Sequence, residues 1–138
     1  MKTIFSISMA LLITLGDQAS ATDIYCKIST LCASNFKPEC SYGLTDSGFS
    51  LKFNDRKVLW VDGPCTPIGG GELGDIIVKE DFNSVSQQNI RLHCTLNNIT
   101  KVNYSIDRLS GQFTRNLFYP NGNYHMETGS CSVTKNKF

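Results

Sequence analysis

Two histidines, one tryptophan and no close cysteine pair leave this 138-residue chain with few ways to do covalent chemistry. Tetrahedral metal sites are built from close ligand pairs such as two cysteines separated by two residues. Here the cysteines are widely and irregularly spaced. A serine hydrolase presents its nucleophile on a sharp turn, typically G-x-S-x-G, with a histidine base, and no such pentapeptide occurs. Charge of one sign is also missing: 13 basic and 12 acidic residues are dispersed, for a net charge of +1. A nucleic-acid partner is therefore not expected, because phosphate binding needs a concentrated basic surface. No segment carries a sustained helical period, and beyond the N-terminus no apolar run is long enough to cross a membrane as a helix.

The apolar run that does exist lies at the start. Lys2 precedes "IFSISMALLITLG" (Ile4 to Gly16), and "ASA" at Ala19 to Ala21 supplies small residues for a signal peptidase. This pattern predicts a signal peptide over residues 1–21, cleaved after Ala21. A single β-rich domain, soluble and without a membrane span, is expected over 22–138, placed in the periplasm or secreted.

All six cysteines follow the expected cut, which in an exported domain predicts disulfides. Six cysteines allow 15 pairings. Cys32 and Cys40 flank the short loop "ASNFKPE", and Cys26 and Cys131 sit near the two ends of the mature chain, where a bridge would close the largest loop. Cys65 with Cys94 is the remaining pair.

Short runs of β-branched and aromatic residues alternate with turn signals, which predicts an all-β fold. Strands are expected near 24–28, 49–53, 57–61, 76–79, 90–96, 101–108, 112–119 and 123–128. In "FSLKFNDRKVLWV", Phe49, Leu51 and Phe53 alternate with polar residues, "NDR" makes the turn, and Val58 and Trp60 are expected to continue the inward face. Ser110-Gly111 and Asn121-Gly122 are hairpin signals, since Gly and Asn accept positive φ. The predicted architecture is an antiparallel meander forming a small barrel or sandwich, stapled by disulfides.

The stretch "IDRLSG", followed by a strand, a turn and "GSC", together with the early "YC" at Tyr25-Cys26, resembles the ends of small exported proteobacterial β-proteins. The resemblance covers the C-terminal hairpins and implies a bacterial periplasmic or secreted protein, with nothing catalytic. The general plan is also similar to that of small exported lysozyme inhibitors. "TDSG" and "LSG" do not reproduce the serine-glycine-rich loop by which that family enters the lysozyme cleft.

Candidate chemistry is sparse. "PIGGGELGD" (Pro67 to Asp75) contains G-x-G-x-x-G, yet a dinucleotide fingerprint needs a strand before it and a helix after it. "DGPCTP" precedes it and the β-branched "DIIVKE" follows, so it reads as a loop between strands and no cofactor is expected. His93 and Cys94 are adjacent in a predicted strand and so face opposite ways; His125 is expected to point outward, with Glu127 on its face. No catalytic or metal-ligating set emerges. Asn98 and Asn103 match the glycosylation sequon, which matters only in a eukaryotic secretory host. The "FYPNGNY" turn places Tyr119, Asn121 and Tyr124 at one rim, where tyrosine offers contact area and a hydroxyl. These residues, with Gly70 and Glu72 of the glycine-rich loop, are the expected partner contacts. The expectation is a non-catalytic exported binding protein of inhibitor or immunity type, with a protein as partner. The alternatives are a structural component of an envelope assembly and a small secreted hydrolase using two carboxylates.

Overall fold

A computed structural model describes residues 21–65 and 81–134. The expected signal segment, the glycine-rich loop with Gly70 and Glu72, and the strand expected at 76–79 lie outside the described residues.

The described chain forms nine strands: β1 (Thr22–Ala33), β2 (Cys40–Tyr42), β3 (Gly48–Phe53), β4 (Val58–Val61), β5 (Phe82–Val85), β6 (Asn89–Leu96), β7 (Thr100–Asp107), β8 (Gln112–Phe118) and β9 (Tyr124–Val133). All pairings are antiparallel, in the order β4-β3-β1-β9-β8-β7-β6-β5, with β2 attached beside β1. Apart from β2, each strand lies next to its sequence neighbour, and the first strand pairs with the last. The sheet therefore curls into a nearly closed up-and-down barrel rather than a sandwich. Eight strands give an interior that side chains just fill.

The alternation seen in the sequence becomes the inside and outside of this barrel. Phe49, Leu51 and Phe53 of β3, Ile90 and Leu92 of β6, and Val102, Tyr104 and Ile106 of β7 are buried. Asn54 makes the β3–β4 turn: its Oδ1 accepts from the backbone N–H of Arg56 (2.8 Å) and Lys57 (2.9 Å). Gly111 and Gly122 adopt φ of 78° and 86°, as their turns require.

Two bulges and one short strand account for the differences from the expected pattern. In β4 the pair Phe53–Val58 is followed by Lys52–Trp60, so Leu59 is an extra residue. That bulge brings Val61 inward beside Val58, whereas Trp60 pairs with Lys52 and is half-buried. In β1 the register shifts between Ile28 and Thr30, so the inward face passes from Ile24, Cys26 and Ile28 to Leu31 and Ala33. The bulge lets β1 continue well past the expected end at Ile28. Its extension pairs with the three-residue β2, too short to carry a periodic signal. Beside the β1 bulge, Gly129 faces Phe113 and Ile28, and any Cβ there would overlap the Lys27 carbonyl.

Three disulfides join Cys26 to Cys131, Cys32 to Cys40 and Cys65 to Cys94. They are the mark of an oxidising extracellular or periplasmic environment. Among the described residues, no helix is long and apolar enough to cross a membrane.

The seam between β4 and β5 is bridged by a side chain. Asn83 Oδ1 accepts from the Val58 N–H (2.7 Å), and Asn83 Nδ2 donates to the Val58 carbonyl (2.8 Å). One amide thus imitates a facing residue of a strand. Beside it, the Val85 N–H donates to the Arg56 carbonyl (3.0 Å). Replacing Asn83 by alanine removes both side-chain bonds and leaves a part-buried peptide group without them. We expect a loss of about 2 kcal/mol, measured by urea denaturation, while Ser84→Ala, one exposed position along β5, stays near wild type. Equal stability of the two variants would mean that the amide does not hold the seam.

Candidate functional site

Among the described residues, a polar interior layer lies beneath one mouth of the barrel. Arg115 of β8 and Glu127 of β9 are paired in register and both point inward. Their contact is a two-pronged ion pair: Arg115 Nε donates to Glu127 Oε1 (2.7 Å) and Nη2 to Oε2 (2.9 Å). The guanidinium also lies 4.4 Å from the Phe49 ring centre and 5.7 Å from that of Tyr104. Phe49 meets Tyr104 and Phe113 edge-on, at 5.5 and 5.1 Å. Burial opposes the Arg115 charge, but the hydrogen bond and charge of Glu127, with the Tyr104 oxygen, outweigh it and hold the guanidinium above its ordinary pKa. Tyr104 is pushed up to about 12, chiefly by burial, against the lowering effect of Arg115. Its hydroxyl donates to the Pro64 carbonyl (2.5 Å), which ties the segment carrying Cys65 to the core.

Above this layer sits His125, with Nε2 3.6 Å from Glu127 Oε1. Contrary to the expected outward orientation, its strand position matches that of Glu127 and Gly129 on the inward face. It is half-buried because it stands at the mouth rather than on the outer wall. His125 forms the floor of a groove of about 520 Å³.

Three chain segments supply the walls of this groove. The loop after β1 contributes Asn35 and Phe36, the β6–β7 turn contributes Ile99, and the β8–β9 loop contributes Tyr119, Pro120, Asn121 and Asn123. Phe36, Tyr119 and Ile99 are large and solvent-exposed, Ile99 at 58 %. Tyr119, Asn121 and Tyr124 are thus brought together in one groove. The turn that carries them is internally bonded: the Tyr119 N–H donates to the Asn123 carbonyl (2.9 Å) and the Asn123 N–H to Asn121 Oδ1 (3.0 Å). It is also tied to the opposite wall. Ser34 Oγ donates to Asn123 Oδ1 (3.2 Å) and accepts from the Tyr124 N–H (3.0 Å). The Cys32–Cys40 disulfide closes the loop carrying Asn35 and Phe36 at its base. At the β6–β7 turn, Asn97 and Asn98 adopt φ of 53° and 64°, the left-handed pair of a tight hairpin.

Sequence reasoning did not single out Asn35, Phe36 or Ile99, because each reaches the groove only through barrel closure, and it placed His125 on the outer face. Arg115 and Glu127 did carry a signal. They are opposite charges at inward positions, Arg115 between Phe113 and Leu117 and Glu127 two residues before Gly129.

The remaining candidates have structural work. His93 is buried beside Cys94, which faces the other way and is disulfide-bonded. Its ring stacks on Phe82 (5.6 Å between centres, 12° between planes), its Nδ1 meets Asn103 Oδ1, and its Nε2 lies 3.7 Å from Asp81. Asp81 accepts from Thr95 Oγ1 (2.8 Å) and the Thr95 N–H (3.2 Å). Asp107 accepts from the N–H groups of Leu109 and Ser110, and these bonds lower its pKa. Each of these carboxylates, like Glu127, is engaged with a structural partner. Among the described residues, no group of three or more His, Cys, Asp or Glu side chains is placed to hold a metal ion. Set against protein-family models, curated proteins and solved structures, the chain has no match.

Proposed function

We propose that this chain is exported and works without covalent chemistry, as a binding protein that engages a partner of the exported compartment through the rim groove. The observation that carries this reading is the convergence of exposed aromatic and amide side chains from three segments on one concavity. Loops positioned by a rigid scaffold are where binding residues concentrate. Here the scaffold is a barrel with three disulfides, and the β8–β9 turn is fixed by bonds within itself and to Ser34. An inhibitor or immunity-type role is one form this activity would take. The N-terminal segment supports the export component of the reading.

The test is retention of material from an extract of the exported compartment by the immobilised protein, compared with Tyr119→Ala/Asn121→Ala. Asn121→Ala also removes the Oδ1 that accepts from the Asn123 N–H, so Tyr119→Ala alone, which keeps that turn bond and is expected to keep the melting temperature, accompanies the double variant. Retention should fall about tenfold or more, a loss of roughly 1.4 kcal/mol of binding. Equal retention by both proteins would move the binding surface elsewhere. Turnover of a model substrate lost on the same substitutions would replace binding with catalysis.

A further inference from the structure

We infer that the rim groove holds a short stretch of an uncharged saccharide chain; the inference rests on the groove being the binding site proposed above. Charge is the first argument. Among the described residues, the side chains lining the groove include no aspartate, glutamate, lysine or arginine. A phosphate, a nucleotide or an acidic sugar would find no fixed counter-charge there, and taking an ion out of water without a partner is costly.

The second argument is the pairing of rings with amides. A sugar ring has apolar C–H faces and a rim of hydroxyls. Phe36, Tyr119 and Tyr124 offer apolar ring surface for the faces, and Asn35, Asn121 and Asn123 offer hydrogen-bonding groups for the rim. The bonds that hold Asn121 and Asn123 in place use their Oδ1 atoms. Each Nδ2 therefore keeps its two donors for a ligand. The His125 ring on the floor adds a further polar contact.

The third argument separates a saccharide from a protein segment. An extended peptide is usually held through main-chain bonds to an exposed strand edge. The strands that contribute lining residues, β1, β7 and β9, are each paired on both sides. A folded protein surface needs a broad contact, about 800 Å² on each partner, whereas this site is concave. Its volume, about 520 Å³, falls in the range of small-ligand sites.

The disulfide-bonded protein is titrated calorimetrically with neutral oligosaccharides of two to four units, from the β-1,4-N-acetylglucosamine, mannose and glucose series. A galacturonic acid oligomer is the charged control. One neutral series should bind with a Kd between about 10 μM and 1 mM, without binding of the acidic control. Tyr119→Ala and Phe36→Ala should each weaken it about tenfold or more, while Leu109→Ala, exposed on a turn at the other end of the barrel, should leave it unchanged. Absence of neutral-sugar binding, alongside Tyr119-dependent retention of a protein free of glycan, would overturn the saccharide inference and leave the groove reading standing. Sugar binding indifferent to Tyr119 and Phe36, or equal binding of the acidic oligomer, would also overturn it.

Discussion

Replacing Cys26 and Cys131 together by alanine is expected to lower stability by about 4–5 kcal/mol, the largest loss from removing any of the three disulfides. The two cysteines are 105 residues apart, and their bridge closes a loop spanning nearly all of the described chain. A cross-link restricts the unfolded chain more as the loop it closes grows. The Cys32–Cys40 bridge spans only 8 residues, so the same reasoning gives it roughly 2.5 kcal/mol. Position reinforces length. Cys26 and Cys131 are directly paired residues of β1 and β9, where the first strand of the barrel meets the last. Cys26 is fully buried, so its sulfur also fills the core. Urea denaturation of both double variants, with the other bridges verified by non-reducing peptide mapping, measures the difference. A smaller loss for Cys26→Ala/Cys131→Ala than for Cys32→Ala/Cys40→Ala would reject the loop-length argument.

Glu127→Gln is expected to cost about 3–5 kcal/mol, because it leaves the Arg115 guanidinium buried without its counter-charge. The carboxylate takes two hydrogen bonds from that guanidinium, and the rings of Phe49 and Tyr104 face the same group. Water cannot readily replace the lost partner there. The ion pair as a whole is another matter, since removing both charges also removes the cost of burying them. Arg115→Met/Glu127→Leu should therefore recover most of the stability lost in Glu127→Gln. Denaturation of the double variant with Arg115→Met and Glu127→Leu as its single variants completes a double-mutant cycle. A double variant no more stable than Glu127→Gln would show that the pair does more than neutralise itself.

How far the site could be read from residues alone depended on how local each contact is. Tyr119, Asn121 and Tyr124 were legible because a Pro-Asn-Gly turn bends the chain by its own backbone preferences. Phe36 and Ile99 were not, because nothing within their own segments places them beside that turn. They meet it only when β1 pairs with β9 and β6 with β7. Within its own segment His125 reads as outward, between Tyr124 and Met126. Register with Leu117, itself inward beside Val102, turns it toward the interior. Trp60 failed for a different reason: one bulged residue reverses inside and outside for everything beyond it, and a bulge leaves little trace in composition.

Residue type and spacing by themselves determined that this chain is all-β and antiparallel, where its main turns lie, and that its cysteines belong to an oxidising compartment. These follow from side-chain alternation, backbone preference and thiol chemistry, all of which act over a few residues. Only the tertiary structure decided that the sheet curls into a barrel rather than a sandwich, with an Asn83 amide across its seam. It also decided that Arg115 and Glu127 neutralise each other inside, and that three segments meet as a groove at one mouth. Those outcomes depend on register and closure between segments far apart in the chain. They are set by the free energy of the whole assembled sheet, which no single stretch of residues contains.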